Sequence, residues 1–354
     1  MRLIATLALL SMTVACSGGG HNSPTGPSLV APSLSRLAIP ASTADPRIMR
    51  PVMGQVTDAL SGAGVPGVTI RVPEVFEATS DAGGQFGLDA EALDGRYRVV
   101  ASGAAVVAHE PTLVFPGGPA LLPLIPATFN MVAFDEMVRQ FGGVAVVKRW
   151  IAAPVLIVEM SLLDREMSID PSGFPKESVI ASEQQQSEAA VAALIDNLTR
   201  ALPLLTGGRF PGFSSIERVT TPAGFPVLLD RLGAITVVRY PSPVVPCSGY
   251  GAFAYFNDFE AAFGRVFLPT CSDASLAAHE LGHALGYGHV TAVPSVMKAV
   301  VTGYVTEFDR QATTIAYQRP LGNRAPDADP EAFTVNEPLR ARARGIPVFV
   351  GPVP

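Results

Sequence analysis

The stretch AAHELGHALGYGHVTAVPSVM, residues 277–297, contains three of the five histidines of this 354-residue chain within eleven positions. His279 and His283 lie four residues apart, which on an α-helix places both side chains on one face, about 6 Å apart along the axis. His289 lies ten residues beyond His279, and on the same helix it would point to another face, about 15 Å further along. A helix that brings all three imidazoles to one point must therefore end between His283 and His289.

Gly286 stands where that helix has to end. Glycine adopts the left-handed backbone conformation at little steric cost, and this conformation commonly terminates helices. Gly288 gives the chain further freedom to turn His289 back towards the other two histidines. At the start of the helix, either Ser272 or Asp273 can act as the cap, because both side chains accept hydrogen bonds from free backbone N–H groups.

The ligand set favours zinc in a catalytic role. Three neutral imidazoles beside an open fourth position are typical of catalytic Zn2+, whereas structural zinc sites usually close all four positions with Cys or with Cys and His. Glu280 lies beside the first histidine and is not needed as a ligand. We expect its carboxylate to take a proton from the attacking water while zinc lowers the pKa of that water and polarises a substrate carbonyl. The pattern predicts metal-assisted hydrolysis of an amide bond.

Residues 279–289 resemble the H-E-x-x-H-x-x-G-x-x-H signature of the metzincin metallopeptidases, and every position of the signature is filled. Residues 295–297, Ser-Val-Met, lie where that clan carries its Met-turn, so the resemblance implies that Met297 forms an apolar floor beneath the zinc ligands. Within the clan the chain is most similar to the matrixins, because Ala299 stands where astacins and serralysins have tyrosine. Val290 replaces the serine that matrixins usually carry after the third histidine.

The resemblance implies an α+β catalytic domain over residues 126–325, in which a mixed twisted sheet and long helices support the zinc-binding helix. The order of the other elements is similar to that clan. The expected elements are a buried strand in residues 150–160, an amphipathic helix in residues 182–208 that begins at Ser182, three strands with the sequences AITVVRY, AFAYFND and RVFLP, and a C-terminal helix in EFDRQATTIAYQRP. In the clan, the strand two before the zinc helix borders the cleft and pairs with the peptide substrate, a role that falls on AFAYFND, residues 252–258.

Residues 46–120 contain short β-prone runs between turn signals, which predicts a small antiparallel β-sandwich. GQVTDALSGAGVPGVTIRV followed by TSDAGGQFGLD resembles the carboxypeptidase regulatory-like domain, a transthyretin-like sandwich. The resemblance implies a spacer or adhesive module without chemistry. His109, at the end of this region, is expected to be structural, and the Pro/Gly-rich segment 117–127 marks the boundary to the catalytic domain.

The first 16 residues, MRLIATLALLSMTVAC, have the basic start and apolar stretch of a secretory signal, too short to cross a bilayer as a mature helix. The segment before Cys16 resembles a bacterial lipobox, which implies a lipid on Cys16 and an exported protein anchored at the outer membrane or the cell surface. A secreted protein is the alternative. Residues 17–45 are polar and rich in Gly and Pro, as expected of a flexible linker, and residues 326–354 are expected to form a C-terminal tail.

Two cysteines remain if Cys16 carries lipid. Cys247 and Cys271 form an even pair in an oxidising compartment, which favours a disulfide. The alternative is that Cys247 blocks the zinc as a free thiol, in the manner of the matrixin cysteine switch.

The net charge of −6 and the absence of a Lys/Arg cluster in the sequence argue against a nucleic-acid partner. We therefore expect a monomeric zinc endopeptidase that acts on protein or peptide substrates outside the cytoplasm. Two alternatives stay open: a cell-surface binding or adhesion lipoprotein with an inactive metzincin fold, and a zinc amidase that acts on a cell-wall peptide. Glu280 argues against the first, because an inactive protein can lose this residue and still keep its zinc.

Overall fold

The computed structural model describes residues 52–88, 95–115, 120–139, 145–168, 176–242, 247 and 251–330. In these ranges the chain forms fourteen strands, five α-helices and one π-helical turn. The predicted α+β class is confirmed at this level. The predicted signal peptide and linker, with Cys16, and the tail beyond residue 330 lie outside the described residues.

Between residues 52 and 124, the regular elements among the described residues are all strands. They are β1 (Val52–Asp58), β2 (Thr69–Val72), β3 (Phe76–Thr79), β4 (Gln85–Leu88), β5 (Gly95–Arg98), β6 (Val100–Ser102), β7 (Thr112–Phe115) and β8 (Ala120–Leu124). Strand β1 lies between β4 and β8, strand β2 lies between β3 and β6, and β5 pairs with β7. Apolar side chains of the two three-stranded sheets, among them Val56 and Ile70, meet in one buried cluster. The two sheets therefore pack face to face.

The segment 117–127, predicted to be a boundary, contains β8. This strand pairs in parallel with β1, and its Leu122 and Leu124 are buried in the cluster between the two sheets. Alternate apolar residues suit a strand with one covered face, and Pro123 is tolerated because β8 is an edge strand. The β-structure therefore continues past residue 120, to Leu124.

A second, larger sheet follows. Its strands are β9 (Val155–Leu163), β10 (Ala181–Gln185), β11 (Ser215–Val219), β12 (Ala234–Tyr240), β13 (Gly251–Asn257) and β14 (Glu260–Pro269). The order is β10-β9-β12-β14-β13, and β11 pairs with β9. Strands β9, β12 and β14 run in parallel, whereas β13 pairs antiparallel with β14 at the edge. The run AFAYFND thus lies in or directly after an edge strand.

The helices are α1 (Met131–Phe134), α2 (Arg165–Ser168), α3 (Glu188–Leu204), α4 (Ala274–Leu285) and α5 (Glu307–Gln318), and a π-helical turn, Asp135–Arg139, follows α1 directly. Apolar residues of α3, α4 and α5 form one core with those of the large sheet. The two histidines four residues apart therefore lie on a helix packed into the main core. Among the described residues, no helix combines the length and the apolar character needed to cross a bilayer.

Two sequence predictions about element limits are wrong. Ser182 does not begin the long helix, because residues 181–185 pair with β9 and Ser187 caps α3 by accepting a hydrogen bond from the Ala190 N–H. The tail does not begin at residue 326, because Asp327 is fully buried and its carboxylate accepts two hydrogen bonds from Arg319. The periodicity of apolar residues, on which these element limits rest, reveals neither the cap at Ser187 nor the burial of Asp327.

Candidate metal centre

The ends of α4 are fixed by the residues that flank it. Of the two candidate caps, Asp273 is the one used, and its side chain accepts a hydrogen bond from the Leu276 N–H. At the other end Gly286 has φ 103° and ψ 18°, the left-handed conformation that the sequence predicts. A Cβ at this position would also lie 2.7 Å from the Phe256 ring. Backbone conformation and close packing therefore both require glycine here.

The three histidines of the motif converge. His283 Nε2 lies 3.1 Å from His279 Nε2 and 3.1 Å from His289 Nε2, and the three possible ligand atoms all lie within 4.8 Å of one another. Around tetrahedral zinc with Zn–N bonds of about 2.0–2.1 Å, two ligand nitrogens are separated by about 3.3–3.4 Å. The observed spacing thus fits three ligands of one zinc ion.

The protons on the two buried rings point away from this centre. His279 Nδ1 donates to the Val296 carbonyl at 2.7 Å, and His283 Nδ1 donates to the Tyr287 carbonyl at 2.7 Å. Since a carbonyl cannot donate, Nδ1 of each ring carries the proton and Nε2 presents a lone pair. Burial lowers the pKa of His279 to about 4 and that of His283 to about 3, so both rings are neutral near neutral pH. Two lone pairs at this distance repel each other unless a cation lies between them.

Glu280, the residue next to the first histidine of the triad, is buried. Its side chain is 3% exposed, and its Oε2 has no hydrogen-bond partner among the described residues. Burial raises the pKa of this carboxyl to about 8. Leaving a buried acceptor without a partner costs about 1–3 kcal/mol, so such an atom is unusual unless a ligand or water serves it. The orphaned oxygen fits a residue that acts on a bound molecule.

Met297 lies directly beneath α4. The residue is fully buried, and a Cβ on Gly282 would lie only 2.3 Å from Met297 Sδ. Gly282 lies between His279 and His283 on α4, so the thioether packs against the part of the helix that carries these two histidines. The absence of a side chain at residue 282 is what allows this close approach.

The turn that carries Met297 is held by a residue that the sequence analysis missed. Asp309 on α5 accepts hydrogen bonds from Ser295 Oγ at 2.5 Å and from the Val296 N–H at 2.9 Å. The Val296 carbonyl in turn accepts the Nδ1 proton of His279. The sequence signal was the capping box of α5, in which Thr306 and Asp309 bond each other, but a capping box does not reveal a contact with a distant turn.

Cys247 and Cys271 are joined by a disulfide. Cys271 lies two residues before the cap of α4, and Cys247 lies between β12 and β13. Because both sulfurs are used in this bond, Cys247 has no free thiol to offer the zinc, and the cysteine-switch alternative does not apply to this state of the protein. His109, expected to be structural, is buried and bonds the Asp327 carbonyl through Nδ1 at 2.8 Å, well away from the motif in sequence.

Strand β13 borders α4 with one side of its backbone free. It pairs with β14 on one side, and no other strand among the described residues pairs with it. Phe256 of β13 packs against Gly286 at the end of α4. An extended peptide can add to such an edge through main-chain hydrogen bonds.

No model of a known protein family matches the chain, and no curated protein matches it significantly.

Proposed function

We propose that the chain is a zinc-dependent endopeptidase of the metzincin type, matrixin-like, that hydrolyses peptide bonds in proteins. The single observation that carries this proposal is the convergence of three neutral imidazole nitrogens beside the buried, unpartnered Oε2 of Glu280. A structural zinc site would add a fourth Cys or His ligand, and among the described residues only His279, His283 and His289 group in this way.

His279, His283 and His289 would hold the zinc through Nε2. There the ion would supply Lewis-acid chemistry, which lowers the pKa of water and polarises a carbonyl. The Nδ1 bonds to the Val296 and Tyr287 carbonyls keep the first two rings in the tautomer that presents Nε2 and prevent the rings from turning.

Glu280 is the general base of this proposal. Its carboxylate takes a proton from the attacking water at Oε2 and delivers it to the nitrogen of the leaving amine. The raised pKa, about 8, suits the second half of this transfer, because the protonated form is stable enough to exist between the two steps near neutral pH. Burial is the cause, since no charged partner contributes to the shift.

The free edge of β13 supports a peptide as the substrate. A peptide laid along β13 forms main-chain hydrogen bonds that do not depend on its sequence, and it passes the end of α4 that carries the triad. A short cell-wall crosslink offers less extended backbone for this kind of pairing. We therefore favour endopeptidase activity over a cell-wall amidase.

The test is hydrolysis of a mixed peptide library by the purified protein, with chelator, without chelator, and with zinc added back. We expect cleavage inside peptides, loss of activity with chelator, and about one zinc per chain that falls sharply in His289→Ala, because three ligands leave no redundancy. Full zinc occupancy in His289→Ala would show that His289 is not a zinc ligand. A zinc-loaded protein that cleaves nothing would favour the binding-lipoprotein alternative.

We also propose that the protein works outside the cytoplasm, anchored by a lipid on Cys16. The disulfide between Cys247 and Cys271 is in keeping with an oxidising compartment. Cys16→Ser should move the mature protein from the membrane fraction to the soluble fraction, since one lipid-bearing site is the proposed anchor. Unchanged membrane association would reject the anchor without affecting the proposed chemistry.

A further inference from the structure

His289 differs from the other two proposed ligands in how it is held. It lies beyond the end of α4 and is the most exposed of the three. Its Nδ1 has no hydrogen-bond acceptor among the described residues, whereas Nδ1 of His279 and of His283 each bonds a carbonyl. The position of the His289 ring therefore depends on the backbone of its loop.

That loop is attached to the π-helical turn on both sides of His289. On one side, the Gly288 N–H donates to the Met137 carbonyl at 2.8 Å. On the other, Glu136 Oε2 accepts from the Thr291 N–H at 2.8 Å and Glu136 Oε1 accepts from Thr291 Oγ1 at 2.5 Å. Both carboxylate oxygens of Glu136 are thus used by the residue two positions after His289.

We propose that Glu136 is a positioning residue for the metal: its carboxylate fixes the loop so that His289 Nε2 reaches the other two ligands. This inference rests on the proposed zinc site. The described hydrogen bonds of Glu136 go to Thr291 and not to the three histidines or Glu280, so it acts through Thr291. Hydrogen bonds to an ionised carboxylate are roughly twice as strong as those between neutral groups.

The π-helical turn is a rigid base for this contact. Met137 and Val138 are buried in the main core. Arg139, fully buried, donates to Asp135 Oδ1 at 2.7 Å and to Asn323 Oδ1 at 2.5 Å. These contacts fix the backbone on either side of Glu136, so its carboxylate has a defined position. The Thr291 hydrogen bonds also lower the pKa of Glu136, which keeps it ionised.

Two further hydrogen bonds limit how much zinc affinity should fall when Glu136 is replaced. Lys298 Nζ donates to the Thr291 carbonyl at 3.0 Å, and the Val290 N–H donates to the Met297 carbonyl at 2.8 Å. The loop is therefore not released entirely when Glu136 is removed. Residues that orient metal ligands typically change metal affinity by about 10–100-fold, and we expect the lower part of that range, about tenfold.

The experiment measures the zinc dissociation constant of the full chain by competition with a chromophoric chelator. Glu136→Ala should raise the constant about tenfold, and Thr291→Val, which keeps the N–H but loses the hydroxyl, should raise it less. The control is Glu217→Ala on β11, a strand that pairs with β9 and not with β13 or β14. Glu217 pairs with Arg231, and its substitution should leave zinc affinity unchanged.

A double-mutant cycle with His289→Ala tests whether Glu136 acts through that ligand. In the His289→Ala background, Glu136→Ala should have no further effect on zinc affinity, whereas a general loss of stability would weaken binding in both backgrounds. The melting temperatures of the zinc-free proteins control for folding, and if Glu136→Ala does not fold, the same cycle is run with Thr291→Val.

Two results would overturn the inference: an unchanged dissociation constant in Glu136→Ala, or the same weakening with and without His289. Either leaves the proposed function standing as long as the wild type binds one zinc and cleaves peptides. A wild type that binds no zinc would overturn both.

Discussion

Two buried polar clusters of this protein differ in whether their polar atoms have partners. One is the proposed metal centre of His279, His283, His289 and Glu280, called the metal centre below. The other, which we call the junction cluster, lies where the N-terminal strands meet the C-terminal residues, and it consists of His109, Arg139, Arg319, Asn323, Asp327 and Asp329. Burial of charged groups is costly unless they are paired. The junction cluster pairs its carboxylates, whereas the metal centre leaves polar atoms facing one another without a partner.

The pKa shifts of Asp327 and Glu280 reflect this difference in pairing. Burial raises the pKa of Asp327, but the attraction of Arg319 and His109 outweighs it and holds the pKa well below its usual range. Burial raises the pKa of Glu280 with nothing to oppose it, to about 8. A buried cluster therefore suggests a ligand site where its acceptor atoms are unsatisfied. In the junction cluster, the one atom described without a partner is a donor, Arg139 Nε, whereas Glu280 Oε2 is an acceptor. This difference favours a structural role for the junction cluster and supports the proposed role of the triad.

The largest expected effect on stability comes from breaking the junction cluster. Asp327→Asn leaves the Arg319 guanidinium buried opposite a neutral amide, and breaking such a pair costs about 3–5 kcal/mol. Urea denaturation of zinc-free protein measures the loss. Glu217→Gln, at an exposed ion pair with Arg231, is the matched control and should leave the free energy of unfolding nearly unchanged. A loss in Asp327→Asn no larger than in the control would show that the pairing does not stabilise the fold.

Because of Asp327, we expect the stability of the protein to depend on pH. Because the pKa of Asp327 is lower in the folded than in the unfolded chain, where it is about 3.9, its contribution to stability is full above about pH 5 and is lost as the pH falls. The wild type should therefore lose more stability than Asp327→Asn between pH 5 and the acid limit of folding. Parallel curves for the two proteins would contradict this assignment.

Removal of the metal should have the next largest effect on stability. It should affect the metal centre and not the junction cluster. Zinc that binds only the folded chain adds about 2.7 kcal/mol when the free zinc concentration is 100 times the dissociation constant. His289→Ala should lose this zinc-dependent increment. A variant such as Asp327→Asn, where it still folds, should keep it, because the described hydrogen bonds and ion pairs of Asp327 go to residues other than the three proposed ligands. Thermal melts with zinc and with chelator measure both. Loss of the increment in Asp327→Asn would mean that the clusters are energetically coupled.

A smaller effect is expected from filling the space beneath the metal centre. Gly282→Ala adds a Cβ that overlaps Met297 Sδ, and overpacking of this kind costs about 1–3 kcal/mol, offset by about 1 kcal/mol from the better helix propensity of alanine. Gly212→Ala is the control, because nothing lies within 4 Å of the added methyl group. We expect net destabilisation and weaker zinc binding in Gly282→Ala alone. Unchanged zinc affinity would mean that Met297 can move aside freely.

The difference between the two clusters also explains what the sequence could predict. The metal motif is local: the four-residue spacing of two histidines, the glycine that ends α4 and the cap before it all act within 17 residues of chain, from Asp273 to His289. Strand β12 coincides with the predicted strand AITVVRY, and β1 lies in the region 46–120, where short strands are predicted.

The junction cluster is not local. Asp327 bonds His109 across 218 residues of chain, and Arg139 bonds Asn323 across 184. A single charged residue in a Pro-rich segment carries no periodic signal, so the first residues after 325 resembled a tail. Glu136 was missed for the same reason, since its partner Thr291 lies 155 residues away. Contacts of this kind require knowledge of which elements pack together.

The measurement that tests the account most directly compares wild type and Glu280→Ala in two assays run side by side, zinc content and cleavage of a quenched peptide. Glu280 is buried next to a ligand but is not needed to hold the metal. The variant should therefore keep about one zinc per chain and its fold, while hydrolysis falls by a factor of about 10² to 10⁴. Hydrolysis that survives the substitution undiminished, or a wild type that holds zinc and cleaves no peptide, would contradict the account.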